Sequence, residues 1–268
     1  PANQNGVKFF IDGFKMLPEG PLGDFALSAV ACSVSCETVV LSVKPSVEDG
    51  SALLDDFAAF IVSNLPPGAV AALGNLDILV DPANGACVET AKSVFSRLEI
   101  PVAFVNDAPT GANINQGGGV AELEGRSHIS AAEAFASPSL SSIAALLARV
   151  RQTGRTAYAL VLDGDGDRGF LAVSSDGETA LVVDGDAESF ILAGYMCESE
   201  IIPDALAPEY KFVGTVESDL ELFRAVRDRL GLSTVIVCVG DKWLVAPYRS
   251  GGCLAIGKQE QHAVRLEG

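Results

Sequence analysis

The chain has 268 residues, 49% hydrophobic and 20% charged, with a formal net charge of −17. That composition belongs to a packed globular protein rather than a disordered one, and the length suits about two domains. The carboxylate excess repels polyanions and argues against a nucleic-acid partner, and no apolar run reaches the roughly 18 residues of a membrane span.

In chain order, Val7–Ile11 and Val39–Val43 read as strands, and Ala52–Val62 as an amphipathic helix. Pro66-Pro67-Gly68 breaks the chain and marks a linker. Leu76–Val80 is expected as a buried strand, followed by the turn Asp81-Pro-Ala-Asn-Gly85 and a helix from about 86 to 98. Pro101–Val105 is a further strand, and residues 106–140, rich in Gly, Ser, Ala and Asn, read as a long loop with a short helix near 131–136. An apolar-striped helix, Ser139–Arg151, leads to the strand Tyr158–Leu162. Phe170–Val173 and Ala180–Val183 form a hairpin around Ser175-Asp176-Gly177. Helix 187–196, strand 212–216, helix 219–230 and strand 234–239 complete the pattern. Alternating strands and helices predict α/β layering with largely parallel sheets. The six cysteines contain no CxxC pair, and nothing at the start reads as a secretory signal, so reduced thiols in a cytoplasmic protein are expected.

The strand ending at Leu162 runs into Asp163-Gly-Asp-Gly-Asp-Arg168. Three carboxylates at alternate positions, separated by glycines that let the backbone turn tightly, can converge on one hard cation of the Mg²⁺ type. The arginine beside them suits a phosphate. A solvated turn is the bland alternative. A calcium-binding EF-hand loop fails, because its sixth position would be Arg168 where glycine is needed and its twelfth Ser174 where glutamate is needed. Phosphoryl-transfer chemistry is therefore the leading reading.

Several motifs occur in fixed order around this loop: Asn5-Gly6-Val7-Lys8, Asp81-Pro-Ala-Asn-Gly-Ala86, Asn113-Ile-Asn115, Val183-Asp-Gly-Asp186, Gly214-Thr-Val216 and Val239-Gly-Asp-Lys242. Together with the acidic loop they resemble the α-D-phosphohexomutase superfamily, which interconverts hexose 1- and 6-phosphates; Asn113–Asn115 is most similar to its phosphoglucosamine mutase branch. The resemblance implies successive mixed-sheet α/β domains: 1–66 as the end of a phosphoserine domain, 67–177 as a metal-binding domain and 178–268 as a sugar-binding domain, without the family's fourth domain. It implies Mg²⁺ on Asp163, Asp165 and Asp167, Arg168 stabilising the moving phosphoryl group and Lys8 as general acid/base. Gly240, Asp241, Lys242 and His262 are the implied contacts to a hexose phosphate, with phosphoglucosamine favoured over mannose or glucose phosphate. Val183–Asp186 reads as a junction turn rather than a second metal site.

Two departures accompany the match. The chain begins just after the family's phosphoserine position, and the family's sugar-reading Gly-Glu-x-Ser-Gly-His stands here as Gly257-Lys-Gln-Glu-Gln-His262. The expectation is an isomerase working through an enzyme phosphoserine and a bisphosphate intermediate. The alternative is an incomplete or diverged homologue that binds metal or sugar phosphate without turnover. Neither the oligomeric state nor the hexose is readable.

Overall fold

The structure is a computed structural model that describes residues 10–11, 14–15, 49–202, 210–249, 255–259 and 262–266. A short antiparallel pair, β1 (Phe10–Ile11) and β2 (Phe14–Lys15), comes first. The strand expected at Val39–Val43 and the candidate Lys8 lie outside the described residues.

Helix α1 (Ser51–Ser63) and the short α2 (Ala69–Leu73) precede β3 (Asp77–Asp81), α3 (Val88–Arg97) and β4 (Val102–Phe104). After a long connection come β5 (His128–Ser130), α4 (Ala131–Ala136), α5 (Ser141–Thr153), β6 (Ala157–Leu162), β7 (Gly169–Ser174) and β8 (Thr179–Val183). The six strands from β3 to β8 form one sheet in the order β4-β3-β6-β7-β8-β5. Strand β3 runs parallel to both β4 and β6, whereas β6-β7, β7-β8 and β8-β5 are antiparallel. The expectation of largely parallel sheets is thus corrected. Short connections, of which 175–178 is one, can only return the chain antiparallel, since a parallel return needs a crossover of a dozen or more residues.

Strand periodicity sorts the core into two layers. Leu79, Ala159, Val161, Phe170 and Ala172 face α5, whose Ile143, Leu146, Leu147 and Val150 recur at helical spacing and are all buried. Ile78 and Val80 face the other way, against Ala91, Leu98 and Ile100, with Val62, Leu65 and Leu73 packed alongside. The segment around Pro66 therefore shares a core with the sheet. Helix α4 opens on a capping box between Ser130 and Glu133, and α5 stops at Gly154 in the left-handed conformation (φ 65°).

Helix α6 (Gly185–Glu198) starts as β8 ends and leads to β9 (Lys211–Thr215), α7 (Leu220–Leu230), β10 (Ser233–Val237), α8 (Asp241–Arg249), β11 (Ala255–Gln259) and β12 (His262–Leu266). Their strands make a second sheet, β10-β9-β11-β12, with β9, β10 and β11 parallel and β12 antiparallel to β11. Its core joins Ala193 and Met196 of α6 to Phe212, Leu222, Phe223 and Val226. The expected boundary between 177 and 178 falls inside the β7–β8 hairpin, so the first sheet runs on to Val183.

Only Asp184 separates β8 from α6. Asp184 caps α6 by accepting from the Ala187 N–H at 3.0 Å, and Asp186 accepts from the Asp219 N–H at 2.8 Å. One turn in, Glu188 is pushed up to about 8 by burial, against a hydrogen bond from the Leu171 N–H and with the Asp184 charge adding to the rise. Unfolded, this carboxyl ionises near 4.5. Folding therefore retains a proton between those values, and stability is lost as pH rises through the window. Glu188→Gln should match the unaltered protein near pH 4.5 and exceed it above pH 8 by roughly 1–3 kcal/mol, discounted for partial exposure. Thermal melts at both pH values check this, at about 2–4 °C per kcal/mol.

Candidate metal centre

The acidic loop leaves the C-terminal end of β6, beside the end of β3, where Asp81 pairs with Val161. Asp163 is 4% exposed and organises the loop. Its Oδ1 accepts from the Gly166 N–H at 2.8 Å and the Arg168 N–H at 3.2 Å, while its own N–H donates to the Arg168 carbonyl at 3.1 Å. Its Oδ2 takes the Arg168 Nε–H at 2.9 Å. Arg168 also pairs through Nη1 with the Glu124 carboxylate. Burial works to raise the Asp163 carboxyl, but the hydrogen bonds and charge of Arg168 outweigh it and hold the group below the usual range.

Asp163, Asp165 and Asp167 each present a carboxylate oxygen, and these atoms lie within 4.8 Å of one another. Asp165 is raised by burial and by the charges of Asp163 and Asp167. Three oxygens this close, one of them short of positive charge, fit a hard divalent cation with oxygen ligands. Proton uptake by Asp165 competes with any such cation.

The loop has little room to move. Gly166 takes φ +76°, and a side chain there would meet Cys87 Sγ at 2.0 Å. A side chain on Gly164 would run into Ile114 at 2.6 Å and Asn115 at 2.9 Å. Gly85 faces the Gly164 backbone so closely that an added Cβ would lie 2.2 Å from its carbonyl oxygen, which accepts from the Ala86 N–H at 2.8 Å. The three motifs around 85, 114 and 164, far apart in sequence, are thus one packed unit.

That unit contains unusual backbone. Ala83, Asn84, Asn106 and Asn115 have φ of 54°, 50°, 50° and 60°. Left-handed conformations cost non-glycine residues roughly 1–3 kcal/mol each unless the surroundings hold them. Here Asn84 N–H donates to the Asn106 carbonyl at 2.6 Å and Asn115 N–H to the Ala83 carbonyl at 2.8 Å. Asn84 Nδ2 donates to the Gln116 carbonyl, and its Oδ1 accepts from the Ala108 N–H. Asp81, wholly buried, accepts from the Ala83 N–H at 2.8 Å, Asn106 Nδ2 at 3.0 Å and the Gly119 N–H at 3.3 Å. Burial raises its carboxyl despite these bonds.

The remaining candidates lie on the second sheet. Gly240 (φ 118°) ends the segment after β10, and its carbonyl accepts from the Trp243 N–H at 2.9 Å, so it opens the turn into α8, which carries Asp241 and Lys242. Lys242 Nζ sits 5.8 Å from the Trp243 ring centroid. His262 begins β12 opposite Gln259, the last residue of β11. Because β10 and β11 both run parallel to β9, the segment at 240–242 and the Gln259–His262 pair at the end of β11 share the C-terminal edge of this sheet. Sequence reasoning missed Glu124, Asn84, Asn106 and Cys87. Glu124 carried no signal of any kind; Asn84 stood inside the motif at Asp81–Ala86 without a role of its own, and Asn106 was visible only as part of an Asn- and Gly-rich stretch.

No family model matches the chain. Phosphoglucosamine mutases of Streptococcus thermophilus and Streptococcus pyogenes are each 30% identical to it, over 275 and 274 aligned positions that take in 100% of this chain and 51% of theirs. The chain thus spans about half the length of the curated relatives it matches. Among solved structures it is similar to a putative phosphomannomutase from Thermus thermophilus, with a TM-score of 0.57 and 19% identity over 80% of this chain and 42% of the other. It is also similar to Aspergillus fumigatus N-acetylphosphoglucosamine mutase in complex with GlcNAc-6P and magnesium, with a TM-score of 0.56 and 16% identity over 84% and 42% of the two chains. A third likeness, with a TM-score of 0.56 and 16% identity over 78% and 38%, is to an N-acetylglucosamine-phosphate mutase of the α-D-phosphohexomutase superfamily. These structures show the fold alone. Over the half of the relatives' length that it spans, the chain is similar in sequence to phosphoglucosamine mutases, and in fold to a structure of the α-D-phosphohexomutase superfamily.

Proposed function

We propose that the complete gene product interconverts hexose 1- and 6-phosphates, with phosphoglucosamine as substrate and Mg²⁺ on Asp163, Asp165 and Asp167. The observation that carries this reading is the convergent carboxylate triad on a braced loop ending in Arg168, within a chain similar to phosphoglucosamine mutases. When bound, the cation neutralises charge on phosphoryl oxygens during transfer.

The protein's own groups do the rest. Asp163, held below the usual carboxylate range by Arg168, would supply a fixed carboxylate to the cation, with Asp165 and Asp167 beside it. Arg168, fixed between Asp163 and Glu124, keeps a guanidinium at the end of the loop to stabilise charge on the phosphoryl group. Lys8 moves the proton of the sugar hydroxyl, and Gly240, Asp241, Lys242 and His262 orient the sugar. An enzyme phosphoserine carries the phosphoryl group through a bisphosphate intermediate, and the product acts in the cytoplasm. Residues up to 66 end the phosphoserine domain, and the metal and sugar units meet at Val183–Asp184.

Phosphorus NMR of the complete gene product with glucosamine 6-phosphate, Mg²⁺ and a catalytic amount of hexose bisphosphate tests this. A growing glucosamine 1-phosphate signal, faster than with mannose or glucose 6-phosphate, is expected. Conversion of mannose or glucose phosphate alone would reassign the substrate. No conversion of any of the three would overturn the mutase reading in favour of binding without turnover.

A further inference from the structure

We propose that Asp81 is a positioning residue for the metal loop; the inference rests on the reading that Asp163, Asp165 and Asp167 hold a divalent cation. A strand of the sequence Asp-Ile-Leu-Val-Asp whose last four residues are buried has no need of a carboxylate at its enclosed end, where an apolar side chain fits at lower cost. Asp81 is there with every donor around it drawn from a different segment: Ala83 N–H from the turn after β3, Asn106 Nδ2 from the stretch after β4, Gly119 N–H from the loop before residue 120, and the Ser142 hydroxyl from α5.

Those segments are the ones on which the metal loop rests. The turn fixed through Ala83 places Ala86, whose N–H donates to the Gly164 carbonyl at 2.8 Å, between the ligands Asp163 and Asp165. The Ala83 carbonyl in turn accepts from Asn115, and the Asn115 side chain closes on Gly164 from the other side. The fit around Asp81 is tight: a Cβ on Gly118 would sit 2.2 Å from its Oδ2. The donors that Asp81 holds lie on the segments that cradle Gly164, and it acts through those.

Asparagine at this position keeps the volume but turns an amide nitrogen toward donors that need an acceptor. The experiment is Mn²⁺ titration by electron paramagnetic resonance on the complete chain, well below its melting temperature. Asp81→Asn should bind Mn²⁺ roughly 10–100-fold more weakly than the unaltered chain, the usual penalty for loss of a residue supporting metal ligands. Asp77→Asn is the control. It breaks the Arg149 ion pair (3.0 Å) at the opposite end of the same strand and should leave Mn²⁺ affinity unchanged. If Asp81→Asn fails to fold, Gly118→Ala, which crowds the same carboxylate, should show the same weakening. Equal affinity in the unaltered chain and in the folded variant would make Asp81 a brace of the fold only and overturn the inference. An unaltered chain that binds no Mn²⁺ would instead remove the metal reading on which it rests.

Discussion

Asp165→Asn should leave the protein at least as stable in EDTA as the unaltered chain and yet cut its divalent-cation affinity roughly 100-fold. Both halves follow from one cause. Burial and the charges of Asp163 and Asp167 raise the Asp165 carboxyl, so its ionised form is disfavoured where it stands. Removing that charge relieves the repulsion by less than about 1 kcal/mol, because Asp165 is exposed and solvent screens it. The same repulsion is what a cation relieves, so the gain in metal-free stability and the loss of affinity arise together. At a Mg²⁺ concentration about 100 times the dissociation constant, binding adds about 2.7 kcal/mol to the unaltered protein. That is about 2–4 °C of melting temperature per kcal/mol, and in the variant, then near its own dissociation constant, it should fall to about 0.4 kcal/mol. Paired melts with EDTA and with Mg²⁺ read both effects. A variant that keeps the full Mg²⁺-dependent rise would remove Asp165 from the ligand set.

Gly85→Ala is the second large effect, and it reaches the loop without changing any charge. The added Cβ would lie 2.2 Å from the Gly164 carbonyl oxygen and 2.7 Å from its Cα and carbonyl carbon. All three are backbone atoms in a segment already bounded by Ile114 and Asn115, so no side chain can swing away. Overpacking of this kind costs roughly 1–3 kcal/mol, and more where the backbone must shift. The shift falls between Asp163 and Asp165, and metal sites tolerate displacements of only about 0.5 Å, so affinity should fall about tenfold or more with the stability. Gly154→Ala provides the contrast. At φ +65° with nothing within 4 Å, it should cost about 1 kcal/mol through backbone strain alone and leave metal affinity intact. Denaturant unfolding and metal titration on both variants separate strain from loop displacement. Gly85→Ala with unaltered affinity would show that the Gly85–Gly164 contact does not position the ligands.

What the sequence disclosed depended on the range of the interaction. The acidic loop was legible because its three carboxylates fall within six consecutive residues after an apolar strand, and α5 and α7 because their buried residues recur within single helices. The strand β5 was hidden in a stretch read as loop: it is three residues long and owes its existence to β8, some fifty residues later. Of the antiparallel half of the first sheet, the β7–β8 hairpin was legible in its Ser-Asp-Gly turn, whereas the β6–β7 pairing was obscured because the connection between them reads first as an acidic loop. At the site, the motifs at Asp81–Ala86 and Asn113–Asn115 were visible as separate signatures. That they grip Gly164 from two sides is a fact of packing. Glu124 pairs with an arginine 44 residues away and left no local trace. Arg168 illustrates the converse: read as a phosphate ligand from its place after the triad, it is also the counter-charge that keeps Asp163 ionised in its buried position.

The most direct test of the account is calorimetric titration of Mg²⁺ into the unaltered 268-residue chain at two pH values. One cation should bind per chain, with affinity that falls as pH is lowered and Asp165 takes up its proton, and with no binding after Asp163, Asp165 and Asp167 are all replaced by asparagine. An absence of binding, or binding that survives the triple replacement, would contradict the assignment of this loop as a metal centre.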